Sequence, residues 1–305
     1  MLRVATQLKM ENVDAFFLLV MGLIVFLMQC GFAFLEAGSV RSKNTVNILF
    51  KNMFDCLLAS LSYWAIGWGL AYGANGNGFC GGSEYFSIGM DQSGYADWFF
   101  QFVFAATSAT IVSGSIAERC NFSAYFIYSI LITGKIKIQW IKIIKELMKI
   151  FRKGFPTPKF RNKSPQKSIS KCREGNICKL GGNLTYYVLS LGFVYPTISH
   201  WAWGTEGFLR NFEIYLGKNY KFMDFAGSGV VHVTGGVCAL IACIFIGPRI
   251  GRFEDGKVNP MPGHSVTLAG LGGFVLLFGF LAFNAGSQVR GFVILLQPIN
   301  YKKPK

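Results

Sequence analysis

Two ionisable residues stand where such residues are costly. Residues 223–236 read MDFAGSGVVHVTGG and continue as VCALIACIFIG, so Asp224 and His232 sit at the head of a long apolar stretch. An ionisable group at membrane depth marks a functional site by default. Histidine is the side chain that gains and loses a proton near neutral pH, so His232 suits a proton relay. The plain alternative is a packing residue satisfied by a backbone carbonyl. Asp224 precedes the helical run and a Gly-rich turn. It suits an N-cap worth about 0.5–2 kcal/mol, with an electrostatic pull on cations as a second role. Eight residues of α-helix would separate the two by roughly 12 Å along the axis.

The elements that would position these residues are membrane spans. The chain has 305 residues, 52% of them hydrophobic, and only 15% charged, well below a soluble domain. Apolar runs of about 20 residues fall at roughly 13–37, 53–73, 97–117, 225–247 and 265–287. A sixth is interrupted, starting at FSAYFIYSILITG (122–134) and resuming near YVLSLGFVYPTIS (187–199). The sequence thus predicts an all-α polytopic membrane bundle. The basic side of each loop gives the orientation: Arg41, Lys43 and Lys51 follow the first run, whereas residues 74–96 hold no Lys or Arg. By the positive-inside rule the N-terminus lies outside, and Arg119, Arg249, Arg252 and Lys257 lie in the cytoplasm. No cleaved signal peptide is legible, and the first span would do its own targeting.

The formal charge of +15 suggests nucleic acid or anionic lipid until it is located. Residues 135–180 hold 14 Lys/Arg and 2 Asp/Glu, and 289–305 hold 4 basic and no acidic residues, so the remainder carries −1. The basicity belongs to two segments, and no nucleic-acid partner follows from it. Both segments look foreign: Thr133-Gly134 can join directly to Phe193 to give one normal span, AYFIYSILITGFVYPTISHWAWG. Codons for Gly134-Lys135 can form a splice donor, those for Leu191-Gly192 an acceptor, and those for Gln288-Val289-Arg290 a second donor. One reading is that 135–192 and 289–305 are translated intron. The other is a basic amphipathic helix at 138–151 lying in the lipid interface, with Ile141, Ile144, Leu147, Met148 and Phe151 on one side.

Other chemistry finds little support. The eight cysteines fall mostly in or beside spans, where a thiol is a small apolar filler, and Cys172 and Cys178 have no nearby His for zinc. No dinucleotide fingerprint, Walker loop, HExxH or nucleophile elbow stands in a convincing context, so neither an enzyme, a metal site nor a cofactor is expected. Gly and Ala crowd the spans, as in LEAGS, SGSIAER and LAGLGG, which permits close helix contact. Taken alone, Phe104 and Phe283 would be core or lipid-facing residues. Trp201 and Trp203 would be an interfacial belt.

The motifs GFAFLEAGSVRSKNTVNI (31–48), SGSIAERCNFSAY (113–125), FVYPTISHWAWG (193–204), MDFAGSGVVHVTGG (223–236), GPRIGRF (247–253) and FLAFNAGSQ (280–288) closely resemble the ammonium transporter (Amt/Mep/Rh) family, in its eukaryotic Amt branch. The resemblance is collinear over about 10–134 and 193–288. It implies a homotrimer of eleven-span protomers, each with a narrow apolar pore, of which this chain would supply the first six spans, interrupted in the fourth. It also implies a multi-pass protein of the plasma membrane whose ligand is ammonium or methylammonium. Carried over by motif, Phe104, Trp203 and Ser287 would form the outer ammonium site, and Phe104 with Phe283 the gate. His232 would be the first of two pore histidines, the second having no counterpart, while His200 and His264 fall in interfacial motifs. A non-conducting subunit or ammonium sensor of the same fold is the alternative.

Overall fold

The computed structural model describes residues 2–92, 94–119, 193–211 and 222–289. The basic segment 135–192 with its amphipathic stretch 138–151, the start of the interrupted span at 122–134, and all of the 289–305 tail beyond Val289 lie outside the described residues.

The first apolar run forms helices α1 (Leu2–Phe26) and α2 (Met28–Ser39), parted at Leu27. A short 3₁₀ turn at Ser42–Asn44 leads into α3 (Thr45–Ser62), a π-helical turn at Tyr63–Gly67 and α4 (Trp68–Tyr72). After a loop come α5 (Gly94–Ser115), α6 (Tyr195–Trp203) and a second π-helical turn at Ser228–Val233. That turn runs into α7 (Thr234–Ile246). A two-residue ribbon, β1 (Phe253–Glu254) antiparallel to β2 (Lys257–Val258), precedes α8 (Val266–Gly286).

Each of the five clear runs expected from hydropathy contains a helix, with two differences. First, the helix expected from 53 begins at Thr45, because polar residues in its first turns find partners inside the protein. Asn52 donates from Nδ2 to Glu36 Oε2 at 3.0 Å, and Lys51 Nζ donates to the Ser113 carbonyl at 3.0 Å. Second, where hydropathy marks five clear spans, only Asn12–Ser39 and Val266–Gly286 among the described helices are long and apolar enough to cross a bilayer unaided. Helix α5 spans 22 residues, or about 33 Å, but is diluted by polar side chains. Those side chains are buried: Thr107, Ser108, Thr110 and Ser113 are at most 2% exposed. Thr107 donates to the carbonyl one turn back, and the single hydroxyl hydrogen of Thr110 is shared between the Ala106 carbonyl and Gln29 Oε1, which lies 2.8 Å away. Large apolar side chains face outward instead, among them Phe16, Leu23, Leu57, Phe274 and Leu281. Polar groups inside and apolar groups outside is the arrangement a lipid solvent selects.

Close packing depends on glycine. A Cβ on Gly272 of α8 would come within 2.4 Å of the Leu35 backbone nitrogen, and one on Gly38 of α2 within 2.4 Å of the Ser265 carbonyl. Any larger residue there would push α2 and α8 apart. At one end of the bundle Glu118, its side chain 1% exposed, gathers three segments. Its Oε1 accepts from Arg41 N and Nε at 3.0 Å each and from Asn44 Nδ2 at 2.6 Å, and Oε2 accepts from Arg249 Nη1 at 2.6 Å. Burial raises the Glu118 carboxyl, but the bonds from Asn44, Arg249 and Arg41 outweigh it and hold the group down at about 2.

Candidate functional site

At the opposite end, four aromatic rings follow one another into the bundle. Trp203, the last residue of α6, meets Phe104 of α5 edge to face, with centroids 6.2 Å apart and planes at 73°. Phe104 lies nearly flat on Phe283 of α8, at 3.9 Å and 19°. The His232 ring comes next, 5.7 Å from Phe283. Phe104 and Phe283 are each 1% exposed, so their stack leaves no passage between them. Trp203 and His232 are partly exposed on either side of it.

Local chemistry fixes each side chain. Trp203 donates from Nε1 to the backbone carbonyl of Asp224 at 2.7 Å, which sets the indole plane. The Asp224 carboxylate then accepts from four successive amides: Gly227 N (2.7 Å) and Ser228 N (3.0 Å) to Oδ1, Gly229 N (2.9 Å) and Val230 N (2.8 Å) to Oδ2. These are the orphan donors of a helix start. Gly227 supplies the turn, at φ 89°, a conformation that disfavours any side chain. The helix so begun is π-helical over Ser228–Val233, so the α-helical ruler that sets His232 roughly 12 Å from Asp224 does not apply.

Ser287 lies one turn beyond Phe283, and its Oγ donates to the Phe283 carbonyl at 2.8 Å. With its own hydrogen used, Oγ offers lone pairs to an incoming N–H. Trp203, Phe104, Phe283 and His232 are therefore brought into one file, with Ser287 held to it through Phe283.

Two further residues belong to this file. Phe280 lies 5.6 Å from the His232 ring and 5.8 Å from Phe283, and Phe100 packs on Phe104 at 4.8 Å. Helical spacing could have found both, since 280 and 283, like 100 and 104, share a face. His200 is buried in the protein, 2% exposed. His264 is exposed, with Nδ1 3.3 Å from the Val40 carbonyl. Among the described residues no group of three or more His, Cys, Asp or Glu is gathered to hold a metal ion.

The Ammonium Transporter Family model matches residues 15–145 and 169–292. Ammonium transporter Amt2 of Archaeoglobus fulgidus is 38% identical over 282 residues, which are 91% of this chain and 48% of that protein. Ammonium transporter 1 member 3 of Solanum lycopersicum is 36% identical over 280 residues, 91% of this chain and 48% of that protein. A solved structure titled Sensor Amt Protein superposes with a TM-score of 0.64 at 29% identity, covering 93% of this chain and 56% of the other. The chain spans about half the length of the curated relatives it matches.

Proposed function

The chain belongs to the ammonium transporter family, and from that membership we propose that it forms the entrance and upper pore of an ammonium pathway. Phe104, Trp203 and Ser287 bind ammonium or methylammonium from outside, Phe104 and Phe283 gate the passage, and His232 relays the proton beyond. The observation carrying this reading is the file Trp203, Phe104, Phe283, His232, with successive ring centroids 6.2, 3.9 and 5.7 Å apart.

The physics follows from the file. A partly dehydrated small cation above Trp203 and Phe104 gains about 0.5–2 kcal/mol per ring from the aromatic quadrupole. Ser287 Oγ adds one N–H acceptor. Potassium matches ammonium in charge and size, so this site alone does not separate them. Beyond the stacked phenylalanines a bare cation faces an apolar interior, at a steep penalty. Ammonium can leave its proton behind and pass as ammonia, and His232 is the residue able to take that proton. Potassium has no such route.

The pathway lies within each protomer of a homotrimer in the plasma membrane with the N-terminus outside, and the 135–192 segment is translated intron. Transcript sequence across the codons for Thr133 and Phe193 tests that last point: a segment kept in every transcript refutes it.

A second reading has one observation in its favour, the 29% identical structure titled as a sensor. In that reading the chain binds ammonium and conducts none. Growth of a transporter-deficient cell on low ammonium separates the two. In the protein with 135–192 removed and the second half restored, growth that His232→Asp abolishes, with potassium current gained, supports the pathway. Binding without growth supports the sensor, and unchanged selectivity in His232→Asp removes His232 from the relay.

A further inference from the structure

One buried carboxylate has no part in the aromatic file. Glu36 of α2 is 7% exposed, and Asn52 Nδ2 donates to its Oε2 at 3.0 Å. Among the described residues its Oε1 accepts no hydrogen bond. That oxygen faces Gly114 of α5, where a Cβ would lie 2.9 Å from it. Glu36 and Gly114 both line a cavity of about 200 Å³ beside Glu118. A carboxylate oxygen buried there is costly until a donor or a cation meets it.

The cavity offers further acceptors. Ser39 Oγ, in its wall, donates to the Leu35 carbonyl at 2.7 Å, and Ser115 Oγ donates to the Val112 carbonyl at 2.7 Å. With its one hydrogen so used, each hydroxyl presents lone pairs. The two arginines of the wall have partners of their own: Arg249 Nη1 donates to Glu118 Oε2 at 2.6 Å, and Arg119 Nη1 to the Gly247 carbonyl at 3.0 Å. From α3, the charged groups acting on Glu36 are Lys51 and Asp55. Lys51 Nζ donates to the Ser113 carbonyl at 3.0 Å. Glu36, Lys51 and Asp55 together sum to one negative charge.

We propose that this cavity is a second binding site for a small monovalent cation of the ammonium class, held by Glu36 Oε1 with Ser39 Oγ and Ser115 Oγ as further acceptors. Gly114 lies ten residues beyond Phe104 along α5, about 15 Å of helix. The site therefore stands past the stacked phenylalanines, at the Glu118 end of the bundle, where ammonium that re-forms after the pore would be met. That place in the sequence of events, and ammonium as the ligand, rest on the pathway proposed above. The cation chemistry rests on the lining of the cavity alone.

Difference infrared spectroscopy of the full chain in lipid nanodiscs reads the carboxylate itself. Methylammonium chloride is exchanged for the bulkier N-methylglucamine chloride at fixed pH and ionic strength. The proposal expects a saturable change in a carboxylate stretching band, kept in Trp203→Leu and lost in Glu36→Gln. Labelling with ¹³C-glutamate should move that band, which separates it from Asp224. Ser115→Ala should raise the half-saturating concentration about two- to tenfold, the net worth of one hydrogen bond. That variant keeps the test open if Glu36→Gln does not fold. A carboxylate region that methylammonium leaves unchanged overturns the proposal. So does a band that survives Glu36→Gln, that disappears in Trp203→Leu, or whose half-saturation Ser115→Ala leaves in place. Failure of the outer site is read apart from this, as tryptophan fluorescence that ignores methylammonium while the carboxylate band still responds.

Discussion

The indole nitrogen of Trp203 donates to the carbonyl of Asp224 at 2.7 Å, while the carboxylate of the same aspartate caps the helix that carries His232. One residue thus holds both the indole of Trp203 and the start of the helix that carries His232. Disturbing it is expected to move both.

Replacing Asp224 separates the two duties. Asp224→Ala removes the acceptor of four amides and should cost about 0.5–2 kcal/mol as a cap, toward the upper end because all four are lost together. Asp224→Asn keeps one side-chain oxygen and should cost less. Thermal unfolding in detergent checks the order, and surface protein should fall in the same order. Ion selectivity of the surviving protein should change little.

The stack of Phe104 on Phe283 closes the file, and each ring is buried. Either phenylalanine changed to alanine should destabilise the bundle by about 3–5 kcal/mol through the cavity left behind. The double variant should cost less than the sum of the singles by about 0.5–1.5 kcal/mol, the coupling of one aromatic pair. Strict additivity in a double-mutant cycle contradicts the stacking.

Glu118 gives the opposite end of the bundle a predictable response to acid. Its carboxyl lies at about 2 in the folded protein against an ordinary 4.5, so the unfolded chain takes up a proton first as pH falls. The stability it contributes is complete above pH 4.5 and is lost between there and about 2. Glu118→Gln should flatten the unfolding temperature across that window and lower it at neutral pH. A variant as acid-sensitive as the parent would show that other groups govern the transition.

Much of this fold was legible in the sequence, and the reasons are specific. Apolar runs located α2, α5, α7 and α8 because lipid-facing surface must be apolar wherever the helix turns. The start of α3 was missed because hydropathy counts Lys51 and Asn52 as polar whether or not Ser113 and Glu36 satisfy them. The π-helical turn at Ser228–Val233 was not legible, since π and α turns draw on the same residues and differ only in hydrogen-bond register. Glu118 bonds Arg41, 77 residues before it, and Arg249, 131 residues after it, and single-sequence spacing cannot see such pairs. Site residues came from motif resemblance. Among 30 phenylalanines, nothing local sets Phe104 and Phe283 apart.

The central claim is that Trp203 and Phe104 form a binding surface for ammonium. Its most direct test is methylammonium binding to the full chain in lipid nanodiscs, followed by tryptophan fluorescence at constant ionic strength and repeated with Trp203→Leu and Ser287→Ala. The account predicts a saturable signal that Trp203→Leu abolishes. It predicts that Ser287→Ala weakens binding by about 0.5–1.5 kcal/mol, the net worth of one hydrogen bond. Binding of unchanged affinity in Trp203→Leu, measured with radiolabelled methylammonium so that the lost fluorophore does not matter, would contradict it.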